Sequence, residues 1–187
     1  MNESLVIVMM GRPGSGKGTQ AAMLAEELGL DILRTSKLLK ERGETKDFTG
    51  EKIINWIDNG FFIPSTFTMH LMMKEFDARQ DDLKKGFILD GFPRKLFEAY
   101  MLEEVLEWFG WDNVKFLNIV VSEEEVKERL LKRGRVDDDP EDIITRFRMH
   151  DERVKPALEY LKEKRIDING EQSEEEVYAE LKQRIGA

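Results

Sequence analysis

Leu5-Val6-Ile7-Val8-Met9-Met10 runs directly into Gly11-Arg12-Pro13-Gly14-Ser15-Gly16-Lys17-Gly18-Thr19. The unbroken apolar run predicts a strand buried on both faces. The glycines after it let the chain turn tightly and aim successive N–H groups inward. From Lys17 to Gly29 the spacing is helical, so the loop opens a helix whose N-terminus carries partial positive charge. Strand, glycine loop, lysine and helix in that order make a phosphate cradle. Gly14, Ser15, Gly16, Gly18 and Thr19 surround the phosphates, and Lys17 reaches the β and γ phosphates as a point charge. The hydroxyl expected directly after the lysine is displaced by one place, with Gly18 preceding Thr19.

Outward from this loop, further β-rich apolar runs stand at residues 31–33, 87–90, 116–121 and 166–169. Helical patterns separate them, one over about residues 95–109. Ser122-x-x-Glu125 and Ser173-x-x-Glu176 predict capping boxes that open two more helices. Asp139-Pro140 supplies an N-cap and a first-position proline for a long helix to about residue 164. This alternation predicts a doubly wound α/β domain with a five-stranded parallel sheet. Residues 36–79 read instead as successive helices without a strand, an insertion between the second and third strands. No repeat or linker divides the chain.

The composition narrows the function classes. The chain has 187 residues, 41% hydrophobic and 36% charged, with a net charge of -9. That charge disfavours nucleic acid or an anionic membrane as a partner. With no cysteine, disulfides, thiolate catalysis and cysteine–zinc sites are excluded. The run at residues 5–10 is too short to span a bilayer and lacks a basic leader, so a cytoplasmic location is expected. His70 and His150 lack ligand-like spacing and read as surface or structural residues. Trp56, Trp108, Trp111, Met69, Met72 and Met73 read as core or helix-packing residues. No Asn-Lys-x-Asp element supports GTPase-type switching.

Asp90 stands at the carboxyl end of the third strand, beside the phosphate loop in such a fold. A carboxylate there can hold Mg²⁺ through water, because Mg²⁺ dehydrates reluctantly. Arg94 follows Pro93, which fixes the local backbone, and its planar fork suits a phosphate. Arg129 and Arg133 are four apart on a helix and share a face. With Arg135 and Arg146 they can gather around a transferring phosphoryl group, whose chemistry depends on positioning and on spreading negative charge.

In order along the chain, the glycine loop, Gly86-Phe87-Ile88-Leu89-Asp90-Gly91-Phe92-Pro93-Arg94, Arg129-Leu130-Leu131-Lys132-Arg133-Gly134, Arg135-Val136-Asp137-Asp138 and Arg146 resemble adenylate kinases and related nucleoside monophosphate kinases. The resemblance covers nearly the whole chain. It implies one P-loop kinase domain of three-layer architecture: a core of residues 1–34 and 80–187, a monophosphate-binding helical insertion over about 35–79 and a minimal lid over about 133–140. It also implies a monomer using Mg²⁺ with ATP. Lys17, Arg94, Arg133, Arg135 and Arg146 would be catalytic, and Arg129 would join the loop in holding ATP. Asp90 would hold Mg²⁺ through water, while Asp137 and Asp138 keep arginines in place.

On the acceptor side the resemblance implies Thr35, Lys40, Ile63, Gly91, Arg94, Glu98, Arg135 and Arg146. Lys40 stands where the family has an arginine for the acceptor's phosphate, and so loses the bidentate fork. Glu98 replaces a glutamine that binds adenine, and an ionised glutamate accepts but cannot donate. AMP is the first expectation for the acceptor, with CMP/UMP or GMP as alternatives. A weakly catalytic nucleotide-binding regulatory protein is the alternative from another class. Gly134 alone separates Arg133 from Arg135, where the family carries a lid. The lid excludes water, so closure is expected mainly through the monophosphate-binding helices.

Overall fold

In the computed structural model, which describes residues 4–134 and 140–186 and only the backbone of residues 141, 142 and 146, the side chains of β1 (Leu5–Gly11) part to opposite sides. The chain continues through α1 (Lys17–Leu28), β2 (Asp31–Arg34), α2 (Thr35–Gly43), α3 (Phe48–Asp58), α4 (Ser65–Ala78), α5 (Gln80–Leu83), β3 (Gly86–Asp90) and α6 (Leu96–Phe109). It ends with β4 (Val114–Val120), α7 (Glu123–Arg133), α8 (Pro140–Arg153), α9 (Lys155–Tyr160), β5 (Arg165–Asn169) and α10 (Glu174–Ile185).

Strand periodicity explains the layers. Successive strand side chains point to opposite faces, so Val6, Val8 and Met10 enter one core with Phe87, Leu89 and Phe116. Ile7 and Met9 enter the other with Ile88, Leu117 and Ile119. Helices α4, α6 and α9 cover the first face, and α1, α7, α8 and α10 the second. Both faces are dry, which is why the strands read as continuous apolar runs. Trp111 anchors the first core, its ring 4.7 Å from Phe87 and 4.6 Å from Phe109 between centroids.

All five strands are parallel, in the order β2-β3-β1-β4-β5. The predicted α/β class and five-stranded parallel sheet are thus the observed architecture. Their carboxyl ends share one edge. There β3 lies between β1, which feeds the phosphate loop, and β2, which feeds α2. Register pairs Met9 and Arg34 with Asp90 from either side.

Several local expectations are corrected. Ser173 and Glu176 form both halves of a capping box, but the Ser122 side chain makes no cap bond. The Ser122 N–H instead donates to Glu171 Oε1 at 2.9 Å, and Glu125 accepts from Arg129 Nε at 2.7 Å. The helix predicted to run to residue 164 breaks at Val154 into α8 and α9. Pro156 lacks an N–H and its ring would strike the carbonyl one turn back. Trp108 is 80% exposed rather than packed. His150 is buried, in keeping with the structural reading. Among the described residues no helix is long and apolar enough to cross a membrane.

Candidate phosphoryl-transfer site

The loop between β1 and α1 curls around an ammonium group. Gly14 adopts φ +86, and a Cβ there would sit 2.9 Å from Leu130 Cγ, so only glycine lets α7 pack this closely on the loop. Ser15 N donates to Arg12 O at 3.1 Å, and Gly16 O accepts from Thr19 and Gln20. The N–H groups of Lys17 and Gly18, which open α1 with no carbonyl four residues back within the helix, remain for an anion. Ser15 Oγ is buried without a hydrogen-bond partner, as suits a group kept for a ligand.

Lys17 Nζ lies 3.5 Å from Arg12 O. Withdrawal from water in the concave cleft pushes its pKa down to about 8, Asp90 pulls it up, and Arg94 and Arg133 push it further down. These groups therefore act on one ammonium although they come from the loop, the end of β3, the β3–α6 turn and the end of α7. Three of the predicted cations and the predicted metal-binding carboxylate thus share one electrostatic neighbourhood.

On the donor side a cavity of about 240 Å³ is lined by Gly14, Ser15, Gly16, Thr19 and Arg129, all named from sequence. Gln20, Glu174 and Val177 line it too, as do Gly170 and Gln172 from the β5–α10 turn. They were not foreseen, because nothing in their local sequence signals a ligand. A planar base entering there would meet the Arg129 guanidinium, which stacks readily on aromatic faces.

Phosphoryl transfer from ATP implies a divalent cation, and the residues present fit one. Asp90 Oδ2 lies 3.9 Å from where a Cβ on Gly18 would stand, so glycine at 18 keeps the space beside this carboxylate open. Among the described residues no group of three or more His, Cys, Asp or Glu gathers as a metal cage. One carboxylate suits a Mg²⁺ ion that keeps waters and takes its other ligands from phosphates.

On the acceptor side the Gly91 carbonyl is the meeting point. It accepts from Thr35 Oγ1 at 2.9 Å and from Arg94 Nε at 2.8 Å. Gly91 has φ +88, and a Cβ there would fall 2.8 Å from Arg94 Nη2 and 2.9 Å from Thr35 Oγ1. Buried Glu98 accepts from the Arg94 N–H through Oε2 at 2.7 Å. The Lys95 ammonium donates to Ile63 O at 2.7 Å and lies 3.9 Å from Glu98 Oε1. Thr35, Ile63, Gly91, Arg94 and Glu98 therefore join in one constellation, whereas Lys40 is exposed on α2. Arg135, Asp137 and Asp138 lie outside the described residues, as does the side chain of Arg146.

Lys95, Arg34 and Arg12 are additions that sequence reasoning missed. Arg34 Nε approaches Asp90 Oδ2 at 3.5 Å. Arg12 bridges Glu123 at 2.7 Å and Asp151 at 2.8 Å, with its guanidinium 5.4 Å from the Phe147 ring centroid.

Comparison with known proteins points the same way. The family model described as adenylate kinase matches residues 9–166. Adenylate kinase 1 of Nostoc sp. is 37% identical over 183 residues, covering 97% of this chain and 98% of its own length. Adenylate kinases of Corynebacterium aurimucosum (38% identity) and Mycobacterium tuberculosis (35%) each match over 96% of this chain and 98% of their own length. Kinship along the full length, in a sheet whose carboxyl edge gathers these charges, establishes that the chain belongs to the adenylate kinase family and is a nucleoside monophosphate kinase.

Proposed function

We propose that the chain transfers the γ-phosphoryl group of Mg-ATP reversibly to AMP, giving two ADP. One observation supports this most: Asp90, Arg94 and Arg133 all act on the Lys17 ammonium, on the loop that lines the donor cavity, and Arg94 also binds the Gly91 carbonyl that it shares with Thr35. The donor's phosphates lie in the loop, with Lys17 on the β and γ oxygens and Arg129 against the base. Arg94 holds the acceptor phosphate in line with the donor, and Arg133, joined by Arg135 and Arg146, spreads the charge of the transferring group. Mg²⁺ near Asp90 supplies further neutralisation of the phosphate oxygens when bound. A monophosphate acceptor of low intrinsic pKa needs no strong base, and none of these groups is one.

The acceptor base is the finer question. Adenine presents an amine donor beside a ring-nitrogen acceptor. Glu98 accepts from the amine, and Lys95, with protons to spare beyond its bond to Ile63 O, donates to the ring nitrogen. Two charged side chains thereby do the work of one amide. Guanine, whose edge donates more, is the second possibility that Glu98 favours. ADP formation at fixed Mg-ATP with AMP, GMP, CMP and UMP is expected to rank AMP first in kcat/KM. Lys95→Met is expected to raise KM for AMP by about tenfold, the scale of one charge-assisted hydrogen bond. A kcat/KM for GMP above that for AMP would reverse the assignment.

A further inference from the structure

Arg34 closes β2 at the same sheet edge as the reacting groups, with its backbone in register with Asp90. In the strand order, β3 and Asp90 separate Arg34 from β1 and the phosphate loop. Cations thus flank Asp90 on both sides: Lys17 on the donor side and Arg34 on the other. The next residue, Thr35, shares the Gly91 carbonyl with Arg94, and Asp90 lies by both guanidiniums, Arg34 from the end of β2 and Arg94 from the β3–α6 turn. The contact to Asp90 is made through Nε alone, at 3.5 Å. A guanidinium held at Nε still presents its two Nη groups as a fork, the geometry that matches phosphate oxygens. Arg34 is only partly buried, with 37% of its side chain exposed, whereas Asp90 is 14% exposed. The carboxylate is the fixed partner and the arginine the reachable one.

We propose that Arg34 is a further catalytic residue, whose fork binds the phosphate of the acceptor monophosphate together with Arg94 while Asp90 orients it through Nε. This rests on the acceptor lying beside Gly91, as proposed above. It explains how the site accommodates Lys40, an exposed point charge on α2 in place of a second forked group. Removing Arg34 weakens acceptor binding specifically, because the donor lies across β3.

The test is calorimetric binding of AMP and of adenosine, without ATP or metal, to the wild type, Arg34→Gln and Arg34→Lys, with KM for ATP and AMP measured alongside. Arg34→Gln is expected to raise Kd for AMP by about tenfold to a hundredfold, as for the loss of charged hydrogen bonds. It should leave Kd for adenosine and KM for ATP within about twofold. Arg34→Lys, which keeps the charge but not the fork, is expected to fall between. Equal loss for AMP and adenosine, a loss confined to ATP, or no change in Arg34→Gln would each overturn the role. Should Arg34→Gln fail to fold, an unchanged AMP affinity in Arg34→Lys would overturn it as well. A wild type that binds no AMP would instead refute the acceptor reading, a distinct outcome.

Discussion

An ammonium held among protein atoms is less basic than one in water, because the charged form loses hydration. Lys17 shows this: its pKa falls from 10.5 to about 8, with Asp90 only partly offsetting burial and the two arginines. The protonated form is the one that grips phosphates. Catalytic competence of the empty enzyme is therefore present below about pH 8 and lost as pH rises through that value. Bound triphosphate reverses the balance, since its negative charge favours the ammonium, so the complex stays protonated to higher pH. Accordingly, kcat/KM for ATP is expected to fall above about pH 8 while kcat stays flat further into the alkaline range. Lys17→Arg, with a guanidinium that does not titrate there, should lose the inflection along with much of the activity. An inflection that persists in Lys17→Arg would assign the titration to another group.

Between elements, the Arg12 side chain fastens the phosphate loop to two helices. Arg12 reaches Glu123 at the start of α7 and Asp151 on α8, and Asp151 is also bound by Lys155 Nζ at 2.6 Å. Helix α8 carries Arg146, so this bridge fixes against the loop the helix that holds one of the arginines of the proposed function. Half-exposed Glu123 contributes little, whereas the more enclosed Asp151 bond carries most of the effect. Arg12→Ala is expected to cost about 2 kcal/mol and to lower Tm by about 4–8 °C. In a double-mutant cycle with Asp151→Asn, which also loses the Lys155 bond, the combined loss should fall short of the sum by the energy of the shared Arg12–Asp151 bond; strictly additive losses would show that they act apart. The same bridge shows what local sequence leaves out. The glycine loop, Asp90 and the Gly91–Arg94 turn were legible because strand end, turn and helix start adjoin along the chain. Arg12, Lys95 and Arg34 were not, because their partners Asp151, Ile63 and Asp90 arrive by tertiary packing. Ser122 and Ser173 begin identical Ser-x-x-Glu patterns, yet only Ser173 forms the box, since Glu171 from the β5–α10 turn takes the Ser122 N–H. Trp108 lies on α6, where bulky apolar residues occupy exposed positions (Phe97, Tyr100) as well as buried ones (Leu102, Leu106), so hydrophobicity alone does not reveal which side faces water.

Across the whole molecule, the order β2-β3-β1-β4-β5 puts β2, on the acceptor side of the proposed function, and the phosphate loop after β1 on opposite sides of β3 at one edge. The helices α2–α5 rise from the β2–β3 side and the donor cavity lies near α1, α7 and the β5–α10 turn. Helix α7 ends at Arg133 and α8 begins at Pro140, so six residues of sequence join them where the sequence reading expects a minimal lid. On the proposed function, exclusion of water from the γ-phosphoryl group is expected chiefly on the acceptor side, by closure of its helices around a bound monophosphate. In the absence of acceptor, water can reach a phosphoryl group that Lys17 and the arginines have already activated. Slow release of inorganic phosphate from Mg-ATP is expected without AMP, and a non-reactive AMP analogue that closes α2–α5 should suppress it. The control is Lys17→Met, which keeps the same access but lacks the charge on the β and γ oxygens. Phosphate release by the wild type no faster than by Lys17→Met would show that the donor is shielded without the acceptor, and that residues 134–139 suffice to cover it.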